Sequence, residues 1–150
     1  MVGTVDDVVR AAAEARIRFW SSTGEESTGT KLAKLVTDAW QKTVCSWDST
    51  RFCSEFRIAP HLRARIDLVD LSDGIAYELK VSKNNVHMEV YRDAFKVLAA
   101  REFSLPTLRR FVFIAPGASL VKLRVGLFAE AEKIARRIGL DMELRGIGEA

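Results

Sequence analysis

The sequence predicts an α/β fold, with a mixed β-sheet of four to five strands and helices on both faces. Three observations predict it. Apolar residues recur at helical spacing over 5–20 and about 30–47, then alternate with polar residues between 51 and 81. The run 111–115 is continuously apolar, which is typical of a central strand covered on both faces. Strands that are joined first by a tight turn and later through a helix form a mixed sheet.

Composition sets the class of protein. The 150 residues suit one domain, and 48% apolar with 29% charged residues is ordinary globular usage. No apolar run approaches the ~20 residues of a membrane span, and the acidic start does not resemble an export signal, so a cytoplasmic protein without membrane contact is expected. The two cysteines, Cys45 and Cys53, lack the spacing of a zinc site and are expected to be reduced. A net charge of +3 permits a polyanionic partner without requiring one.

Two helices are predicted to open the chain. The first covers 5–20, behind a capping box formed by Thr4 and Asp7, and the second covers about 30–47. The segment 21–29 between them is polar and contains two glycines, so it is predicted to be a mobile loop.

The rest of the chain alternates strands and helices. The predicted elements are strands over 51–58, 63–71 and 75–81, a helix over 85–101, a strand over 111–115, a helix over 118–138 and a short strand over 140–144. The helix over 85–101 is expected to turn five apolar residues inward: Val90, Ala94, Phe95, Val97 and Leu98.

Hairpin geometry selects a set of polar residues. If Asp73 and Gly74 form a two-residue loop, Asp67 lies opposite Lys80 and shares a face of the sheet with Glu78. Asp70 then lies on the other face. Any loop with an even number of residues keeps this choice of aspartate, whereas a three-residue loop reverses it.

These residue types suit metal-assisted phosphate chemistry. The carboxylates of Asp67 and Glu78, with the carbonyl of Leu79, offer hard oxygen ligands to Mg²⁺ or Mn²⁺. The bound ion would activate water, and Lys80 would orient that water and stabilise charge on the phosphate. The alternative is a solvated strand face on which the lysine merely pairs with the acids. Helices on both sides of the sheet favour the functional interpretation, because buried charges need a purpose.

The same residues resemble a known signature. The segments are Arg65-Ile66-Asp67 and, after a short turn, Tyr77-Glu78-Leu79-Lys80-Val81. They resemble the motif of the PD-(D/E)XK nuclease superfamily, with Ile66 where proline is often written. The order helix, three strands, helix, strand between 31 and 115 resembles its restriction-endonuclease-like core (αβββαβ). The resemblance implies that Asp67 and Glu78 bind metal and that Lys80 assists catalysis. Members act on DNA or RNA, so the substrate does not follow from the fold.

Two further acids are considered as ligands. Glu55 is predicted to supply another catalytic and metal-binding carboxylate, directly or through water, with an ion pair to Arg57 or Arg65 as the alternative. Asp38 is a weaker candidate, because a solvent-facing position on its helix is the simpler interpretation.

Nucleic-acid contact is predicted after the third strand. Lys83, Asn84 and Asn85 lead into a helix whose first amides suit phosphate, and Tyr91 and Arg92 lie on its next turns. A helix cap from Asn84 or Asn85 is the alternative for those two residues. His87 is a lesser candidate for steadying the site.

The sequence therefore predicts a Mg²⁺- or Mn²⁺-dependent endonuclease, with DNA as the expected substrate and a homodimer or larger nuclease assembly as a possible state. One alternative is a catalytically idle member of the same fold that binds nucleic acid or protein. Another is an interaction domain whose acidic strand face is accidental.

Overall fold

The computed structural model of the chain describes residues 2–20 and 26–148. Along these residues the helices and strands are, in chain order, α1 (Val5–Phe19), α2 (Glu26–Trp47), β1 (Phe52–Arg57), β2 (Arg65–Asp70), β3 (Ile75–Leu79), α3 (Val86–Phe103), β4 (Arg110–Pro116), α4 (Gly117–Leu120), α5 (Leu127–Arg137) and β5 (Asp141–Ile147). Element order and type agree with the α/β prediction.

The strands form one mixed sheet in the order β1-β2-β3-β4-β5. The first three are antiparallel, and β3, β4 and β5 are parallel. Helices α1 and α2 cover one face, where Trp40 packs with Tyr77 and Val112, while α3, α4 and α5 cover the other, where Val97 packs with Phe113. The predicted mixed sheet with helices on both faces is confirmed.

The centre of the sheet is fully covered. Every residue of β3 is buried, and the apolar run predicted to be a central strand lies in β4, where six of seven residues are buried. Parallel strands with helices on both faces need apolar residues at consecutive positions. Any charged group in β3 therefore lies in the interior.

Four predictions about the elements need correction. Residues 26–29 are helical and begin α2, while residues 21–25 of the predicted loop lie outside the described residues. The helix expected over 118–138 is two helices separated by residues 121–126, and Gly126 at φ +153° occupies the N-cap position of the second. Phe95 is 72% exposed rather than turned inward. Asn85 occupies the N-cap position of α3 in the left-handed region, but its side chain makes no capping hydrogen bond.

The loop between β2 and β3 has four residues, 71–74, and not two. Leu68 pairs with Tyr77 and Asp70 pairs with Ile75. The carboxylate of Asp70 accepts hydrogen bonds from two amides of the loop, those of Ser72 (3.0 Å) and Asp73 (3.1 Å), which holds the wider turn closed.

No helix within residues 2–20 and 26–148 combines the length and apolarity needed to cross a lipid bilayer.

Candidate active site

The middle of β1 and β2 is twisted, and this twist sets up the site. Phe56 and Ile66 pair with each other and pack against the α3 side, whereas Leu68, two positions further along β2, packs against α1 and α2. Residues two apart normally share a face of a sheet. The strands therefore rotate between these pairs, at Glu55 and Asp67, and Glu55 carries the strain with φ +50°.

Two cross-element hydrogen bonds hold Asp67 at the twist. Its Oδ2 accepts from the amide of Leu79 at 2.9 Å, and its backbone carbonyl accepts from Nε2 of Gln41 at 2.7 Å. Gln41 comes from α2 and is itself buried. The side chain thus replaces a ladder bond between β2 and β3, and the carboxyl group is held beside β3.

The carboxyl groups of Asp67 and Glu78 meet. The observed register, continued by one position, sets Asp67 opposite Glu78, and the two carboxyl groups are close enough to shift each other's pKa. The predicted partner, Lys80, is wrong by two positions because the loop is two residues longer. Any even loop length places Asp67 and Glu78 on one face of the sheet, so the observed loop of four residues keeps them together.

Burial and like charge raise the pKa of both groups. For Asp67 the main cause is burial, and for Glu78 burial is followed by the negative charges of Asp67 and Asp93, which place its pKa well above the usual range. Contact with Glu78 lowers the pKa of Asp67, whereas contact with Asp67 raises the pKa of Glu78 further.

Helix α3 adds two residues that sequence reasoning did not select for the site, Asp93 and Lys96. Nζ of Lys96 lies 2.6 Å from Oε1 of Glu78 and 3.1 Å from Oδ1 of Asp93. The contact with Glu78 is an ion pair without regular hydrogen-bond geometry, and that buried oxygen has no hydrogen-bond partner among the described residues. The available signal was the spacing of Glu89, Asp93 and Lys96, which puts all three on one face of a helix.

Lys80 lies apart from the carboxyl pair. Strand β3 ends at Leu79, and Nζ of Lys80 lies 2.9 Å from Oε1 of Glu89 on α3. Lys80, Leu79 and Glu55 line an open cavity of about 370 Å³ between α2, α3 and the end of β3, together with Asp38. Asp67 and Glu78 do not line it. The predicted site is thus divided into a cavity with the lysine and an inner pair of carboxyl groups.

The two additional acids face solvent. Glu55 is exposed and forms neither of the ion pairs considered for it, and Arg57 donates instead to the carbonyl of Leu62. Asp38 is exposed and pairs with Lys34 at 3.1 Å, as expected for a surface helix residue. Both carboxylates border the cavity that holds Lys80.

The predicted nucleic-acid contacts lie beside this cavity. Lys83, Asn84 and Asn85 are exposed in the turn between β3 and α3. The Arg92 side chain is 64% exposed and reaches Asp93 at 3.4 Å. Tyr91 is half-buried against the core. Four of the five side chains can reach a ligand from solvent without rearrangement, and Tyr91 can do so only in part.

The donor set suits a hard divalent cation. Within residues 2–20 and 26–148, no group of three or more His, Cys, Asp or Glu side chains is arranged to hold a metal ion. Mg²⁺, however, is commonly bound through one or two carboxylates, with waters and substrate phosphate filling the other positions. Asp67 and Glu78 supply two such carboxylates, and Oε1 of Glu78, which contacts the ammonium of Lys96 at 2.6 Å, has no hydrogen-bond partner among the described residues.

Comparison of the chain with protein-family models, with curated proteins and with solved structures finds no match.

Proposed function

We propose that this protein is a Mg²⁺- or Mn²⁺-dependent nuclease that hydrolyses phosphodiester bonds, with DNA as its substrate. The observation that supports the proposal most is the meeting of Asp67 and Glu78 in the covered interior of the sheet, where burial raises the pKa of both groups and the charge of Asp67 raises that of Glu78 further. Placing two acids together in this way costs stability, and such arrangements are concentrated at functional sites.

In this proposal the residues have separate tasks. Asp67 and Glu78 hold the divalent ion, and the Leu79 carbonyl and Glu55 complete its shell directly or through water. The ion supplies Lewis-acid activation of water and of the phosphate. Lys80, in the adjoining cavity, stabilises negative charge on the phosphate, and Glu89 keeps its ammonium in place. Lys83, Asn84, Asn85, Tyr91 and Arg92 contact the nucleic-acid backbone.

The architecture is compatible with the proposal. The order α2-β1-β2-β3-α3-β4 is the order of helices and strands in a restriction-endonuclease-like core, in which three antiparallel strands are followed by a parallel fourth. Strand β5 and helices α1, α4 and α5 would be additions to that core. We further propose a cytoplasmic protein that acts as a homodimer or within a larger nuclease assembly, since cutting both strands of a duplex needs two centres.

The test is cleavage of supercoiled plasmid and of single-stranded DNA and RNA, each with Mn²⁺, Mg²⁺ or EDTA. Metal-dependent cutting by the parent is expected to fall at least about 100-fold in Lys80→Ala, because one electrostatic group at the phosphate is lost. Lys133→Ala, which removes an exposed lysine on α5, is the matched control and should cut like the parent. Cutting that persists unchanged in Lys80→Ala would contradict the assigned role.

A catalytically idle binding protein is the second candidate. The observation that favours it is the closed state of the inner pair, in which Lys96 contacts Glu78 and the pair does not line the cavity. A protein that binds DNA with metal-independent affinity and cuts no substrate would fit this alternative.

A further inference from the structure

We propose that Lys96 is a built-in counter-cation that competes with the divalent ion for Glu78, so that metal binds only when its ammonium moves away. This inference rests on the proposed function and concerns the same carboxyl pair. Lys96 would then set the affinity of the carboxyl pair for the divalent ion and the rate at which the ion binds.

Three oxygen contacts hold the ammonium of Lys96. Its Nζ donates a hydrogen bond to the carbonyl of Arg65 at 2.8 Å and forms ion pairs with Glu78 at 2.6 Å and with Asp93 at 3.1 Å. The Lys96 side chain is only 16% exposed, and those of Glu78 and Asp93 are 5% exposed. An ammonium so placed is a component of the centre and not a surface charge near it.

The charges around the centre do not balance. Asp67, Glu78 and Asp93 are three carboxyl groups in or beside the interior, and the ammonium of Lys96 contacts two of them. The guanidinium of Arg92, whose side chain is 64% exposed, adds a contact to Asp93 at 3.4 Å. Two cations therefore face three potential negative charges. A divalent cation would approach the oxygen of Glu78 that Lys96 now contacts.

Two cations cannot share that oxygen without strong repulsion. A metal ion beside Oε1 of Glu78 would lie within a few ångströms of Nζ, and like charges at that range repel strongly in a partly buried site. Lys96 has a long flexible side chain on α3, so its ammonium group can move toward Asp93 or solvent. The ion pair with Glu78 is thus the contact that metal must displace.

A purely structural lysine predicts the opposite experimental result. If Lys96 only organised Glu78 and Asp93, its loss would disorder the carboxylates and weaken metal binding. If it competes with metal, its loss strengthens binding even while it destabilises the metal-free protein. The sign of the change in affinity separates the two roles.

The experiment measures Mn²⁺ affinity of the full chain without nucleic acid, by calorimetry and by electron paramagnetic resonance of free Mn²⁺. Lys96→Met is expected to bind Mn²⁺ about tenfold more tightly than the parent, and its melting temperature should rise more on adding Mn²⁺. Lys96→Gln keeps a polar head without the charge and is expected to show the same tightening, which covers the case in which Lys96→Met does not fold. Lys133→Met is the matched control and should bind like the parent.

Each outcome has a separate meaning. Unchanged or weaker Mn²⁺ binding in the folded Lys96 variants overturns this inference, even if the parent binds Mn²⁺ and cuts DNA. The proposed function fails separately if neither the parent nor a Lys96 variant binds Mn²⁺, or if Asp67→Asn binds it as well as the parent does; the inference then fails with it.

Discussion

The two aspartates of β2 should respond in opposite ways to the same substitution. Asp70 is fully buried and forms a two-point ion pair with Arg51, with Nε–Oδ1 at 3.0 Å and Nη2–Oδ2 at 2.7 Å. It also accepts the amides of Ser72 and Asp73. Asp70 therefore has structural partners for its charge, whereas Asp67 faces another carboxyl group.

Asp70→Asn is expected to lower the free energy of unfolding by about 3 kcal/mol. The change removes one charge-assisted acceptor and leaves a guanidinium without its buried partner, and breaking a buried pair costs about 3–5 kcal/mol. The lower end applies because Arg51 is 23% exposed and keeps a second partner, Asp73, at 3.1 Å. Metal-dependent cleavage per folded molecule should stay within about threefold of the parent, because Asp70 lies on the other side of the sheet from the proposed site.

Asp67→Asn is expected to do the reverse. The neutral amide oxygen still accepts the Leu79 amide, and the repulsion of Glu78 is gone, so the metal-free protein should be as stable as the parent or more stable at pH 7. Cleavage should fall at least about 100-fold through loss of a ligand. Urea unfolding followed by circular dichroism measures the first effect, and plasmid cleavage at equal folded concentration measures the second. Loss of cleavage in a stable Asp70→Asn, with full activity in Asp67→Asn, would refute the choice of Asp67.

Two more substitutions test the site and the hairpin that positions it. The pKa of Glu78 is raised in the folded protein, so protonated Glu78 stabilises the metal-free fold below the ordinary pKa of 4.5. This stabilisation is lost as the pH rises through the raised value. The free energy of unfolding then falls by at most about 1.4 kcal/mol per pH unit for one proton. Glu78→Gln should flatten this decline in urea unfolding with EDTA; an unchanged slope would contradict the assignment. Gly74→Ala should destabilise by about 2 kcal/mol or more, because Gly74 has φ +66° and an added Cβ would lie 2.2 Å from the Thr107 carbonyl oxygen. A melting temperature equal to that of the parent would rule this out.

The fold was predictable because its signals are local. The apolar run now in β4 comes directly from burial on both faces of a strand, and apolar residues spaced two apart marked β2 and β3 as strands, although β3 is buried at every position. The break in the helix expected over 118–138 was missed, since one glycine inside a helical pattern is often tolerated. Phe95 was assigned to the interior because its hydrophobicity was read without knowing which side of α3 the sheet would cover.

Only the part of the site that depends on the alternation of side chains along a strand was predictable. Alternation with an even loop put Asp67 and Glu78 on one face whether the loop had two residues or four. It could not tell which residue lies directly opposite Asp67, because that depends on loop length. Nor could it place the ammonium of Lys80, which follows the end of β3 and pairs with Glu89. The functions of Asp67, Glu78, Lys80, Leu79, Glu55 and the five backbone-contacting residues all stay predictions.

The sequence by itself determined most of the order of elements and the placing of two acids on one face, which follow from periods of 2 and 3.6 along the chain, and the burial of β4, which follows from its continuous apolar run. Only the tertiary structure decided that Asp93 and Lys96 join those acids, and that Lys80 does not lie among them. The reason is physical: a helix residue acquires its charge environment only when the helix docks on the sheet, and docking depends on the packing of many distant residues at once.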